Sequence, residues 1–287
     1  PKKSAEAYKT VWTDEGSPLI VITEKIQKKL QKIVDVPVEI GMRYAEPSIE
    51  TGIKKLVEQG VTDIVLFPLY PQYAMSTTET VVDKAEEVRK AKFPEVRINY
   101  IEPFYNREIY LNCLAESIRE KLPEDFDALH FSYHGVPERH IYKTDPTKTC
   151  KIGDCCFQND NPSHKFCYRH QCFKTSSEVA KRLELPLDKT IVTFQSRLGN
   201  DKWIEPYTDD TLEALPKKGV KKLVICCPAF VSDCLETLEE ISVEGKHEFM
   251  ESGGQEFHYI PCLNDEDRWI DVVKILCEEK LNEFYLI

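Results

Sequence analysis

Ala128-Leu129-His130-Phe131-Ser132-Tyr133-His134-Gly135-Val136-Pro137 is the stretch whose reading decides the fold. An apolar run stops at a histidine followed by Gly and Pro. A buried parallel strand reads this way when it delivers a side chain to the carboxyl edge of its sheet, where α/β proteins place ligands. His134 is therefore a candidate for proton or metal chemistry near neutral pH. A lone histidine there is more often a satisfied strand end, so its meaning depends on the rest of the chain.

Strand patterns at Val36–Met42, Asp63–Pro68, Val96–Ile101, Ala128–Tyr133, Thr190–Gln195, Lys222–Cys227 and Glu256–Ile260 alternate with helical ones. The helical patterns fall at Pro18–Val34, Pro47–Gln59, Ser76–Ala91, Arg107–Lys121, Lys174–Leu185, Asp209–Leu215, Asp233–Val243 and Asp265–Phe284. Strands separated by helices of this length predict parallel sheets built from βαβ units. The halves also echo each other. Gly60-Val61-Thr62-Asp63-Ile64-Val65-Leu66-Phe67-Pro68 aligns with Gly219-Val220-Lys221-Lys222-Leu223-Val224-Ile225-Cys226-Cys227-Pro228, and Pro103-Phe104-Tyr105-Asn106 with Pro261-Cys262-Leu263-Asn264. The expectation is an α/β protein of two Rossmann-like lobes, each with a parallel four-stranded sheet, around a cleft. Residues 1–124 form the first lobe and 125–287 the second, with a polar insertion at 145–174. The first lobe lacks the strand equivalent to Ala128–Tyr133. The chain begins at Pro1 inside a helical pattern, Lys3–Val11, and so reads as a fragment missing its start and inactive by itself.

With 287 residues, 41% hydrophobic and 30% charged, the chain can bury a large core. A net charge of −11 without a basic stripe argues against nucleic-acid binding. No run approaches the ~20 apolar residues of a membrane span. Eleven cysteines, several inside core-like runs, suit a reducing compartment, which predicts a cytoplasmic protein. Peripheral membrane contact and homo-oligomerisation are both compatible with the sequence.

Three further stretches fall at the same sheet edge. In Pro228-Ala229-Phe230-Val231-Ser232-Asp233-Cys234-Leu235-Glu236-Thr237-Leu238-Glu239-Glu240 a strand runs into a helix start. Asp233-Xaa-Xaa-Glu236 has capping-box spacing, and Glu236 and Glu240 are i, i+4 on one helix face. Spacing alone favours a cap and a solvated face. Facing His134 across a cleft, the same carboxylates would guide a hard divalent cation and relay protons. In Phe194-Gln195-Ser196-Arg197-Leu198-Gly199 and Trp203-Ile204-Glu205-Pro206-Tyr207-Thr208, Arg197 suits a carboxylate and the aromatics a flat ligand, unless they only pack the loop. In the first lobe Arg43, Tyr44, Tyr70, Tyr73 and Ser76 occupy equivalent edges. The set fits a large apolar ligand with anionic substituents.

Cys150, Cys155, Cys156, Cys167 and Cys172 lie within 23 residues, with His164 and His170. A metal site is the better reading than five exposed thiols, which oxidise readily. Cys-Xaa4-Cys is loose for zinc and is also the first spacing of plant-type [2Fe–2S] ferredoxins, so spacing leaves both open.

Taken in order, these motifs resemble ferrochelatase over nearly the whole chain: Gly16-Ser17-Pro18-Leu19, Arg43-Tyr44, Tyr70-Pro71-Gln72-Tyr73 with Ser76-Thr77-Thr78, Ser132-Tyr133-His134-Gly135-Val136-Pro137, the Phe194 and Trp203 stretches, and Asp233 to Glu240. The resemblance implies the chelatase fold and a lyase of haem and porphyrin biosynthesis that inserts Fe2+ into protoporphyrin IX to form protohaem. It implies His134 as the proton acceptor or metal ligand, Glu236 as the carboxylate opposite, and Asp233 and Glu240 on the metal or proton path. It implies Arg43, Tyr70, Tyr73, Ser76 and Trp203 as porphyrin-lining positions, beside Arg197. Cys234 stands where many relatives have histidine. The internal cysteines resemble those of bacterial ferrochelatases with an internal [2Fe–2S] cluster, which favours iron–sulfur over zinc. The rival readings are a coproporphyrin ferrochelatase, a sirohydrochlorin-type cobalt chelatase, a non-catalytic porphyrin or haem carrier, and an iron–sulfur redox or sensor module.

Overall fold

Ala128–His134 forms strand β3 of a four-stranded parallel sheet, in the order β4-β3-β5-β6. Its neighbours are β4 (Thr190–Gln195), β5 (Lys222–Cys226) and β6 (Glu256–Tyr259). The structure, a computed structural model, describes residues 10–285. The expected helix at Lys3–Val11 falls mostly outside them. β3 is central because it can bury both faces: every residue from Ala128 to Tyr133 is buried, and the two faces feed separate apolar clusters. His134 ends the strand, half-buried and opposite Gln195 in the β3–β4 ladder.

The first sheet holds β1 (Asp63–Leu66) and β2 (Arg97–Tyr100), paired in parallel. It is smaller than the three strands expected. Val36–Met42 is extended, with one isolated bridge from Met42 to Ser48, but joins no sheet. By analogy with β3, a strand between this segment and β1 would carry its ladder, and none lies there among the described residues. Side chains of helix α1 (Pro18–Gln31) take over instead. Gln27 Nε2 donates to the Val38 carbonyl, Gln31 Nε2 to the Val36 carbonyl, and Val38 N–H donates to Gln31 Oε1. Extended backbone thus satisfies its polar groups without a strand partner.

Helices α2 (Ile49–Glu58), α3 (Thr80–Lys92) and α4 (Glu108–Lys121) complete the first half. Helix α5 (Glu138–Thr144), missed by pattern, follows β3, and α6 (Tyr168–Arg182) starts six residues before the expected Lys174. Then come α7 (Thr208–Ala214), α8 (Leu235–Leu238), α9 (Lys246–Glu251) and α10 (Asp267–Asn282). Each sheet keeps to one side of residue 125, but α10 crosses back to pack on α1, α4 and β1. Its Trp269, fully buried, meets Phe67, Phe104 and Tyr110 of the first half. Burial of one such aromatic stabilises by about 1.5–3 kcal/mol, so this cluster clamps the halves together. No helix among the described residues is long and apolar enough to cross a membrane.

Both halves carry a π-helical turn after the echoed strand, at Met75–Glu79 after β1 and at Glu240–Gly245 after β5. Continuous α-helix was expected at both places. A π turn inserts a residue and re-aims the side chains around it, commonly at functional sites.

Candidate active site

Gly135 must be glycine for reasons of space. A Cβ there would stand 2.9 Å from the Gln195 carbonyl oxygen and 3.1 Å from Trp203 Cε3. Gly135 N–H donates to that same carbonyl at 2.8 Å, which pins the β3 exit to β4. The close approach lets the Trp203 ring lie beside His134, with centroids 6.4 Å apart, while Phe230 lies 6.3 Å away. His134 Nδ1 is 2.6 Å from the Gly135 carbonyl oxygen. Tyr168 Oη–H donates to the His134 carbonyl at 2.8 Å.

Gln195 joins this histidine to the carboxylates. Ser132 Oγ–H donates to Gln195 Oε1 at 2.8 Å, which fixes the amide's direction. Its Nε2 then donates to the Glu236 carbonyl at 2.7 Å and to Glu240 Oε2 at 3.2 Å. Glu240 also accepts from Ser196 N–H at 2.7 Å and from Ser196 Oγ–H at 2.6 Å. Burial pushes the Glu240 carboxyl above its ordinary value of 4.5, offset in part by the Ser196 and Gln195 bonds and by His134 nearby. Gln195 and Ser196 had been read only as motif residues; the alternation of polar side chains at 130, 132 and 134 on one face of β3 was the available signal.

The cap at Glu236 is shifted by one residue from the spacing argument. Cys234 is the N-cap of α8, and its N–H donates to Thr237 Oγ1 at 3.1 Å. Glu236 closes no capping box, and its half-buried side chain lies within electrostatic reach of Tyr70. Burial raises the Tyr70 hydroxyl first, followed by Tyr44, Cys234 and Glu236, so the first lobe's tyrosine lies near the second lobe's acid. The Tyr70 loop is docked by Gln72 Nε2, which donates to Thr175 Oγ1, and by Tyr73 N–H, which donates to Gln171 Oε1. Tyr73 Oη–H donates to Glu79 Oε2 at 2.9 Å, beside exposed Ser76 on the π turn.

Two expected residues are committed elsewhere. Asp233 is buried: its Oδ1 accepts from Thr237 Oγ1 at 2.8 Å and Tyr259 Oη at 2.5 Å, and its Oδ2 from Asn264 Nδ2 at 2.7 Å. Arg197 pairs with Asp209 at 2.7 Å and Asp210 at 3.2 Å and lies over the Tyr207 ring. Arg43 Nε donates to the Thr80 carbonyl, with the guanidinium over Tyr44.

Four of the five clustered cysteines converge. Cys150, Cys155, Cys156 and Cys167 are buried, and the Cys150 and Cys155 sulfurs are 4.0 Å apart. The Cys167 thiol lowers Cys150 to about 6 and Cys156 to about 5, so all three sulfurs are neighbours. Lys151 N–H, His170 N–H and Arg169 Nη1 donate to the sulfurs of Cys155, Cys167 and Cys156. Cys172 instead enters the core with Tyr168, and burial pushes its thiol well up. His164 and His170 stack at 3.5 Å and bond the Cys155 and Cys156 carbonyls. Among the described residues, no group of three or more His, Cys, Asp or Glu is arranged to hold a single metal ion.

The fold is a chelatase fold. SirB from Bacillus subtilis with Fe3+ superposes at a TM-score of 0.61 over 90% of this chain and 88% of its own, at 16% identity. A sirohydrochlorin chelatase SirB in complex with cobalt gives 0.59 over 91% of this chain and 87% of its own, at 13%. At such identity the likeness concerns the fold alone. The sequence is more specific. A family model described as Ferrochelatase matches residues 1–281. The ferrochelatase of Pseudomonas syringae pv. syringae (strain B728a) is 48% identical over 280 residues, covering 97% of this chain and 82% of that protein. That of Pseudomonas fluorescens (strain SBW25) is 47% identical over 281 residues, with the same coverage. The chain belongs to the ferrochelatase family. It is a porphyrin metal chelatase, a lyase of haem biosynthesis whose substrates are a porphyrin and ferrous iron.

Proposed function

We propose that the chain metallates protoporphyrin IX, with His134 as acceptor of the pyrrole protons and Glu236 and Glu240 as the charge path opposite. The observation that carries this reading is Gln195. It stands opposite His134 in the ladder and holds both the Glu236 backbone and the Glu240 carboxylate. A planar porphyrin hides its nitrogen lone pairs and holds two N–H protons. Binding it bent exposes a lone pair, so part of the binding energy favours the transition state. An imidazole suits proton acceptance near neutral pH, and a buried carboxyl with a raised pKa suits onward transfer. Tyr70, Tyr73, Ser76 and Trp203 line the ring. Asp233 is a positioning residue that holds the turn before Glu236. With Arg197 engaged by Asp209 and Asp210, Arg43 is the arginine left for ring carboxylates. An anaerobic assay of Fe2+ with protoporphyrin tests the reading. His134→Ala should abolish metallation while porphyrin still binds; near-normal turnover by that variant would overturn the assignment.

For the cysteine site we propose a [2Fe–2S] cluster held by Cys150, Cys155, Cys156 and Cys167, with zinc the alternative. What supports the reading is that four thiols are buried together and that N–H groups donate to three of their sulfurs. When bound, such a cluster supplies a one-electron centre. The visible spectrum of anaerobically purified protein decides this; bound zinc without cluster bands would overturn it.

A further inference from the structure

Resting on that cysteine assignment, we propose that Arg169 is a positioning residue that couples the cysteine site to the porphyrin wall. Arg169 is the second residue of α6, two after Cys167, and its side chain is buried. Its guanidinium has two arms. Nη1–H donates to Cys156 Sγ at 3.1 Å. Nε–H and Nη2–H both donate to the Glu205 carbonyl, at 3.2 and 3.1 Å. The group also stacks over Phe173 at 4.7 Å, which fixes its plane. A guanidinium is a rigid planar fork, so the two arms cannot move independently.

What it holds at the far end is the cleft loop. Glu205 lies between Trp203, whose ring is beside His134, and Pro206, whose carbonyl accepts from Phe194 N–H at 2.8 Å. Ile204 N–H donates to the Val136 carbonyl at 3.0 Å, tying the loop to the β3 exit. The residue before Arg169 reaches the same wall by a second route, because Tyr168 Oη–H donates to the His134 carbonyl. Two residues further on, Gln171 Oε1 accepts from Tyr73 N–H in the other lobe. The first turn of α6 therefore joins the cysteines to the His134, Trp203 and Tyr73 segments. Arg169 is the member that touches a cysteine sulfur and the loop at once. Order at the cysteines then sets how firmly the porphyrin wall is held, and by linkage porphyrin binding acts back on the cysteine site.

The test uses the whole chain, with cluster absorbance recorded for every protein and metal-free protoporphyrin titrated by tryptophan fluorescence. Arg169→Gln should weaken porphyrin binding about tenfold, the loss of roughly one hydrogen bond to a charged group. KM for porphyrin should rise more than kcat falls. Arg169→Lys keeps the charge with one arm and should recover part of the affinity, which a merely structural loss would not show. In cluster-bearing protein, Arg169→Gln should also make the cluster's reduction potential more negative, because a cationic donor leaves a ligand sulfur. Cys156→Ser alone should weaken porphyrin binding, and the Cys156→Ser/Arg169→Gln double variant should bind no more weakly than Arg169→Gln. Additive losses, or unchanged affinity in Arg169→Gln, would overturn the coupling. If the parent protein lacks cluster bands, the cysteine assignment falls by itself, and the double-variant cycle still decides whether Arg169 couples Cys156 to the wall.

Discussion

Asp233→Asn separates a residue on the metal path from one that builds the turn beneath it. The Asp233 carboxylate accepts from Thr237 and Tyr259 at one oxygen and from Asn264 at the other. Asparagine replaces one of those oxygens with an NH2 group, and neither orientation keeps the charge-assisted set, since the one facing the hydroxyls makes them turn from donors to acceptors. If nitrogen stands at the Oδ2 place it faces Asn264 Nδ2, which cannot turn without losing the bond its Oδ1 accepts from Asp233 N–H. If nitrogen stands at the Oδ1 place it faces the Thr237 and Tyr259 hydroxyls. The milder orientation loses one charge-assisted hydrogen bond in a buried site, about 1.5–3 kcal/mol. For a chain of this size that lowers the unfolding midpoint by about 3–10 °C. Thermal unfolding followed by circular dichroism reads the shift, and anaerobic turnover of the folded variant is measured beside it. Turnover should fall far less than the about 10²- to 10⁴-fold that follows loss of a proton-transfer group. An Asp233→Asn protein that melts like the parent yet loses metallation by such a factor would refute the reasoning and return Asp233 to the metal path.

Three further outcomes follow from the same geometry. Burial raises the Glu240 carboxyl, so its contribution to stability is full below 4.5 and is lost as pH rises through the higher folded value; the stability of Glu240→Gln relative to the parent should therefore grow from pH 4 to 7 in urea titrations, and a flat or falling difference would contradict this. Gly135→Ala forces a Cβ against the Gln195 carbonyl and Trp203, and overpacking of this kind costs about 1–3 kcal/mol; it should also raise the KM for porphyrin, and an unchanged midpoint with unchanged KM counts against the close-packing account. Cys172→Ser should keep whatever the cysteine site binds, by iron and zinc analysis, whereas Cys150→Ser should lose it; equal losses would place Cys172 among the ligands.

The division between what was legible in the chain and what was not follows the range of the forces involved. Alternating apolar runs located β1 to β6 within a residue or two, because strand burial is written in local hydrophobicity. Val36–Met42 has the same composition but no neighbouring strand among the described residues, and pairing is a property of the neighbour. The reading of α6 began too late because polar Tyr168–Phe173 hides a helix whose first turn is held by side-chain bonds to other segments.

Residue type and order were enough for the α/β plan with parallel sheets, the strand-end place of His134, and the family. Only the tertiary structure decided which polar groups face each other. It moved the cap from Asp233 to Cys234 and left Glu236 out of the capping box, beside the Cys234 thiol. It gave Arg197 to Asp209 and Asp210, and sorted four cysteines from a fifth of identical chemistry. Hydrogen bonds and ion pairs act over a few ångströms between residues far apart in the chain, so partner choice is set by packing and not by spacing.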